Sequence, residues 1–494
     1  MMKTEKILFW GGLAIGFVCH AITLPYSPAH WMDEVQITEL GRLLLSPGSD
    51  WSMYILPTAV TELGGSGVWN VGRVFQELAY RMAGALGPRW LALLCLTMVS
   101  ILVRFYVKQK TSSAWLGTIF GLLAFSAPGL VQSAHGARVD AMAMMFLFAA
   151  LSVMQLGDCQ QGAARRPILM ILAGAFTALC VYTWATAIMM VPIVLWEFIE
   201  TAHRSKTTPK ERLLLFGCAV VGGLLITAVD FLPCYESIAG TLAKIGNSSK
   251  AVGYGRKIEF GTIVFQLFEV PGLYFVGFCC LFVRRRLWLL AAAAVIFLHV
   301  TKGQIYVFRT LYILPYALIG FAVLCGLVRR TWFKRSLVGV AVLMMFVAFA
   351  RSVVVRNAVE FLARDYRDSQ ILMKVLEREI GRDASVYNYA FQTYYAGREL
   401  GWKQYQMFYN ALVPPVELLK KVDGFLVDEK DAQRVNRDDL QAAGLVEKRV
   451  ISVYPKPTSG IGRWLEQRNR LHRLGDYVFF SKGKSVGLQG KGTK

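Results

Sequence analysis

The chain has 494 residues, of which 55% are hydrophobic and only 18% charged, and its mean hydropathy is +0.43. That balance excludes an ordinary soluble globular protein of this length and points to an integral membrane protein. A net charge of +21 does not indicate nucleic-acid binding here, because Lys and Arg fall in short clusters between apolar runs and in the C-terminal tail, where they signal topology and an anionic lipid surface. The cysteines lie largely inside hydrophobic runs without a Cys-x-x-Cys pair, so neither a metal knuckle nor a disulfide framework is read.

A membrane-spanning helix needs about 20 predominantly apolar residues. About eleven stretches qualify: 7–25, 90–107, 114–131, 140–156, 168–182, 185–199, 213–232, 262–283, 287–300, 311–328 and 337–355. The first follows Lys3 and Lys6 as a signal peptide would, but it lacks a small-residue cleavage site and is read as a retained span. The fifth and sixth are short and read as a hairpin, since one long helix would put the basic 203–212 segment outside the cell. With a cytoplasmic N-terminus, Lys108 and Lys110, Arg165 and Arg166, the 204–212 cluster, Arg284 to Arg286 and Arg329 to Arg335 all face the cytoplasm. Segments 26–89, 132–139, 233–261 and 301–310, and everything after Arg356, then lie on the exoplasmic (periplasmic) face of the plasma or inner membrane.

Beyond the last span the pattern changes. Helices are predicted at 370–380 and 416–422, strands at 384–389, 424–427, 449–453 and 477–481, and a disordered Gly- and Lys-rich tail at 482–494. The expected fold class is an α-helical polytopic membrane protein with a small C-terminal α/β exoplasmic domain. Residues 1–355 form the transmembrane catalytic module, with a first exoplasmic loop at 26–89, and residues 356–494 form the soluble domain.

Three loops on the exoplasmic face hold the candidate chemistry. In the first, Asp33 and Glu34 read either as the start of a capping box, with Gln36 three residues on, or as a general base at the membrane boundary. The second, Ser133 to Asp140, brings together His135, Arg138 and Asp140; Arg138 suits a phosphate or a carboxylate, and Asp140 could equally cap the span that follows. The third contains Lys302, Tyr306, Arg309 and Tyr312, which read as an interfacial aromatic belt or as a phosphate-compatible headgroup site. Glu269, inside the eighth apolar run, is an intramembrane carboxylate and so a further candidate. Asn247-Ser248-Ser249 fits a glycosylation sequon.

This pattern resembles the GT-C glycosyltransferases, in particular the family 39 and family 83 types, the protein O-mannosyltransferases and lipid A aminoarabinose transferases. The resemblance rests on Met32-Asp33-Glu34, Tyr80-Arg81 with Gly87-Pro88-Arg89, Ala137-Arg138-Val139-Asp140, the hairpin from Gly174 to Thr183, and Arg309 to Pro315. It covers residues 1 to about 330, and the hairpin carries Thr183-Trp184 where relatives carry a charged residue. It implies a polyprenyl-phosphate-linked sugar donor and a hydroxyl acceptor on a glycolipid, polysaccharide or protein. In the implied assignment Asp33 is the catalytic carboxylate, Glu34 its neighbour and Asp140 the second acidic residue. Arg138 and Arg309, with Lys302, bind the donor phosphate, and His135, Tyr306 and Tyr312 are further substrate contacts. Two acids alone do not define a metal site, so the residues leave a divalent cation open and call for no other cofactor. The alternative reading is a transporter or flippase of lipid-linked sugars, which would place polar groups at the membrane midplane in two related halves.

Overall fold

The computed structural model describes residues 2–27, 30, 32–46, 49, 51, 53, 70–159, 165–204, 207–231, 311–406, 416–453, 460 and 475–482. The spans expected at 262–283 and 287–300, Glu269, the sequon at Asn247 and the tail beyond Lys482 lie outside the described residues. The chain divides into two compact units. Met1–Leu24, Thr61–Met82 and Leu86–Phe361 form the first, and Pro25–Val60, Ala83–Ala85 and Leu362–Lys494 form the second.

The first unit is helical. It contains α1 (Met2–Thr23), α3 (Asn70–Ala83), α4 (Gly87–Thr111), α5 (Ala114–Ser126), α6 (Pro128–His135), α7 (Asp140–Cys159), α8 (Arg165–Thr183), α9 (Val191–Arg204), α10 (Pro209–Phe231), α11 (Leu314–Leu327), α12 (Thr331–Phe349) and α13 (Arg356–Leu362), while α2 (Met32–Leu45) belongs to the second unit. Among the described residues seven helices are long and apolar enough to cross a membrane, or eight if a bent pair counts as one span. Their packed centre includes Phe9, Leu96, Phe120, Phe125, Leu147 and Phe321, all buried.

The third expected span is not one straight helix. It breaks at Ala127, and α5 and α6 meet at 48°. The cause is Pro128, which has no N–H to give the preceding turn and whose ring crowds the carbonyl behind it. The fifth and sixth spans are separate helices divided at Trp184, whose backbone is extended.

Helices α8 and α10 pack through glycine. A Cβ added at Gly174 would lie 1.8 Å from the Ala219 carbonyl oxygen, and one at Gly222 would lie 1.9 Å from that of Ile171. Water-driven burial gives little between helices in lipid, so close backbone approach of this kind is what holds such a pair. Gly174→Leu should therefore separate the two helices, destabilising the unit by about 3 kcal/mol through overpacking. A thermal melt of the purified protein in detergent that matches the wild type would contradict this.

A buried polar centre lies at the C-terminal end of α4. Glu197, buried on α9, accepts from Lys110 Nζ at 2.7 Å and from the Tyr106 hydroxyl at 2.6 Å. It ties α9 to α4, and Gln155 of α7 donates to it as well.

The second unit is built on a five-stranded sheet. Its strands are β1 (Ser385–Asn388), β2 (Lys403–Tyr405), β3 (Gly424–Asp428), β4 (Leu445–Ile451) and β5 (Tyr477–Lys482), in the order β2-β1-β3-β5-β4. β1 runs parallel to β2 and β3, and β5 runs antiparallel to β3 and β4. The inner strands β1 and β3 are buried almost throughout, as strands covered on both faces must be, whereas the edge strand β4 exposes Val446 and Val450. Gly424 is required where it stands, because a Cβ there would lie 2.1 Å from the Phe479 ring. Helices α14 (Ser369–Glu379) and α15 (Tyr394–Glu399) belong to the same unit, and Leu372 and Leu376 of α14 join the sheet residues Val386 and Leu426 in one apolar cluster.

Asp428 closes β3, and burial, reinforced by the negative charge of Asp431, pushes its carboxyl up to about 6. A carboxyl raised on folding is favoured in its protonated form. Its contribution to stability is therefore complete below about pH 4 and is lost as the pH rises through about 6. Asp428→Asn should remove that loss, stabilising the unit at pH 7.5 by on the order of 2 to 3 kcal/mol and flattening its stability between about pH 4 and 6. Denaturant melts across that pH range test this, and an unchanged pH dependence would contradict it.

Candidate functional site

Two sets of polar side chains are candidates, one in each unit. In the helical unit the site is the turn between α6 and α7. α6 ends at His135, the backbone enters the left-handed region at Ala137 (φ 47°), and the Arg138 N–H returns to the Ser133 carbonyl at 2.9 Å. Gln76 of α3 donates to the Ala137 carbonyl and pins the turn from the other side. The chain then starts α7 at Asp140, in the first turn of the helix, where a negative charge is favoured.

Asp140 is fully buried, and three donors converge on it. Oδ2 accepts from Arg138 Nε at 2.8 Å and from Ser133 Oγ at 3.0 Å, and Oδ1 accepts from the Tyr312 hydroxyl at 2.6 Å. A buried carboxylate is tolerable only when its charge is paired and its lone pairs are used, and both conditions are met. The structure thus joins three of the sequence candidates, Arg138, Asp140 and Tyr312, in one cluster, with Ser133 as a fourth member. Tyr312 enters it from the turn before α11. Lys302, Tyr306 and Arg309 lie outside the described residues.

His135 is no exposed loop residue. It is fully buried, with Nδ1 3.0 Å from Glu360 Oε2 and Nε2 2.9 Å from His20 Nδ1. Sequence reasoning passed over both partners. The available signal was a polar side chain interrupting an apolar stretch, as His20 does in α1.

In the second unit, α2 holds the acidic pair. Asp33 is the second residue of that helix, half-buried in its first turn, so the helix begins one residue before the cap expected at Asp33. Glu34 turns inward, is fully buried, and pairs with His30 Nδ1 at 2.9 Å. Further along α2, Glu39 accepts from Arg42 Nε at 2.8 Å, from Arg42 Nη2 at 2.7 Å, from the Tyr394 hydroxyl at 2.6 Å and from the Met53 N–H at 3.2 Å. Thr38 meets the Tyr395 hydroxyl at 2.8 Å. Burial pushes the Tyr394 phenol well above its ordinary range, and the Glu39 carboxylate adds to the effect. Burial would lower the Arg42 guanidinium, but its bonds to Glu39 outweigh that and raise it. These contacts anchor α2 to α15, so the helix bearing Asp33 is held by the residues that follow the last span. None of Glu39, Arg42, Tyr394 and Tyr395 was singled out from the sequence.

Among the described residues no three His, Cys, Asp or Glu side chains are grouped as metal ligands.

Comparison by sequence finds no matching family model and no matching curated protein. Comparison of structures does find matches. ArnT from Cupriavidus metallidurans in the apo state superposes with a TM-score of 0.59 at 14% identity, covering 98% of this chain and 98% of that chain. The fold is that of ArnT. The structure of ArnT bound to undecaprenyl phosphate matches with a TM-score of 0.57 at 12% identity, over 96% of this chain and 98% of that one. The oligosaccharyltransferase of Archaeoglobus fulgidus follows at a TM-score of 0.45 and 10% identity, covering 85% of this chain and 70% of that chain. The helical membrane fold expected from the sequence is the fold shared with ArnT.

Proposed function

We propose that this chain is a membrane glycosyltransferase that moves a sugar from a polyprenyl-phosphate donor to a hydroxyl acceptor on a glycolipid, polysaccharide or protein at the exoplasmic face. The observation that carries the reading is the buried cluster of Arg138, Asp140, Ser133 and Tyr312 at the end of two apolar helices, in a chain with the fold of ArnT, one structure of which holds undecaprenyl phosphate. An Arg fixed by a buried carboxylate is a preorganised phosphate receptor, because its guanidinium orientation is set before the ligand arrives.

In the proposed reaction Asp33 takes the proton of the acceptor hydroxyl as that oxygen attacks the anomeric carbon. The new C–O bond forms as the bond from the anomeric carbon to the phosphate oxygen breaks, and the electron pair leaves on the lipid phosphate. Arg138, with Lys302 and Arg309, stabilises that leaving charge, and a single displacement inverts the anomeric centre. Asp140 orients Arg138, Tyr312 and His135 support the site, and Glu34 fixes the start of α2. The N-terminus is cytoplasmic and the second unit exoplasmic in this reading, in keeping with the positions of the basic clusters.

The purified protein in detergent, supplied with undecaprenyl-phosphate-linked sugars and envelope glycolipid, should transfer sugar to the glycolipid. A transporter cannot do so without a membrane barrier. Absence of transfer to any acceptor, combined with movement of the same donors across sealed vesicles, would favour the transporter reading. Mass spectrometry of envelope glycolipids and glycoproteins from cells with and without the chain identifies the acceptor.

A further inference from the structure

A buried polar chain crosses the helical unit beside the Arg138 turn, and the proposed chemistry makes no direct use of it. His20 on α1, His135 at the end of α6, and Asn357 and Glu360 on α13 are all buried. Glu360 Oε2 lies 3.0 Å from His135 Nδ1, His135 Nε2 lies 2.9 Å from His20 Nδ1, and Asn357 Nδ2 lies 3.2 Å from the same His20 nitrogen. Arg356 Nε closes the far end by donating to Glu360 Oε1 at 2.9 Å. A π-helical stretch, Ala350–Val355, immediately precedes α13. Its wider turn sets the face on which Asn357 and Glu360 emerge, a device that recurs at functional sites.

The hydrogen bonds fix the protons. Asn357 donates through Nδ2 to the Val353 carbonyl at 2.6 Å and accepts from Thr23 through Oδ1, so its amide has one orientation. It therefore presents a donor to His20 Nδ1, which must accept. His135 Nε2 then donates to His20, and one further proton is shared between His135 Nδ1 and Glu360. His20 Nε2 makes no hydrogen bond among the described residues, and Glu360 Oε2 meets His135 Nδ1 as a close charge contact at 3.0 Å rather than as an aligned hydrogen bond.

As a source of stability this is a poor arrangement, since apolar side chains of the same size would avoid the desolvation it entails. Its value is directional. α6 has only eight residues and is cut from α5 by the bend at Pro128, so backbone continuity alone does not fix its rotation. His135 is its last residue, and the turn bearing Arg138 follows directly. Ser133, two residues earlier on the same helix, bonds Asp140, which bonds Arg138. Rotating α6 would move both ends of that cluster.

We infer that His20, His135, Asn357 and Glu360 form a positioning frame that clamps α6 between α1 and α13 and thereby orients Arg138 toward an anionic lipid headgroup. The inference rests on the reading of Arg138 as the donor-phosphate group. The residues of the frame touch no substrate and act through the turn.

The test compares binding of undecaprenyl phosphate with binding of undecaprenol, which has the same tail and no phosphate, to the purified full-length protein in detergent. Glu360→Gln, which keeps the shape and removes the carboxylate, and His135→Phe, which keeps a ring and removes both polar contacts, should each reduce the preference for the phosphate by about tenfold. Undecaprenol affinity should stay at the wild-type level. Glu360→Asp, which retains the carboxylate, should recover part of the preference. If the phosphate preference is intact in Glu360→Gln and His135→Phe, or if both ligands weaken equally, the positioning role is wrong. Arg138→Ala serves as the reference. If it keeps the full preference, the phosphate reading of Arg138 fails and this inference fails with it; if it loses the preference while the frame variants do not, only the inference fails. Should His135→Phe not accumulate in membranes, Glu360→Gln and Glu360→Asp decide the matter.

Discussion

Asp33→Asn should abolish sugar transfer, lowering kcat by roughly 10²- to 10⁴-fold, the usual worth of a general base. Binding of undecaprenyl phosphate should persist. The substitution is nearly isosteric and keeps an oxygen acceptor in the first turn of α2, so it removes the base and little else. Glu34 offers no replacement, although it is adjacent in sequence. It is buried and already paired with His30, so its carboxylate is committed to holding the start of the helix. Measuring single-turnover transfer beside lipid binding separates the two roles, and near-normal turnover in Asp33→Asn would eliminate the assignment. The complementary variant, Glu34→Gln, should act mainly on the integrity of α2.

The parts of this molecule that the sequence exposed are those in which one physical signal dominates. Long apolar runs between basic clusters mark helices α1, α4, α7, α8, α10 and α12, because span length and hydropathy suffice to find them. The inner strands are visible for a similar reason. Ser385–Asn388 and Gly424–Asp428 are short, β-branched or aromatic runs covered on both faces. β4 begins at Leu445, earlier than the strand expected from 449, because a register shift between Leu445 and Glu447 breaks its alternation. β2 has only three residues and leaves no periodic trace. The bend at Ala127 was legible in principle from Pro128, but a continuous apolar run overrode that signal.

The polar networks were harder to read because they depend on tertiary pairing. Arg138 and Asp140 are two residues apart, and their association could be read locally. Tyr312 joins Asp140 across 172 positions, and Tyr394 reaches Glu39 across 355. No local pattern specifies such partners. The position of α2 follows from the same kind of contact. Residues 25–60 cluster with the unit that follows the last span, although in sequence they adjoin α1. What assigns them is the bonding of Glu39 and Thr38 to Tyr394 and Tyr395.

Glu39→Gln should therefore be among the most damaging single substitutions in the second unit. Arg42 is buried, stacks 3.6 Å over the Trp51 ring, and donates to Ser49 Oγ and the Trp51 carbonyl at 2.8 Å each. Its charge is compensated by Glu39. Removing the carboxylate leaves a desolvated guanidinium without its counter-charge and puts an amide NH2 donor where one of the two accepting oxygens stood, a change expected to cost about 3 to 5 kcal/mol. Replacing both members with apolar residues of similar volume, Glu39→Leu with Arg42→Met, should cost much less, because no charge is then buried alone. That contrast separates the loss of an ion pair from a general packing defect. Amide hydrogen exchange reads it directly. In Glu39→Gln protection should fall across residues 32–45, and in the double variant it should largely return. Equal loss in both would assign the effect to packing, and wild-type protection in Glu39→Gln would show that α2 is held by something other than this hub. Because Asp33 lies on the same helix six residues before Glu39, loosening α2 should also lower kcat while leaving the affinity for undecaprenyl phosphate unchanged.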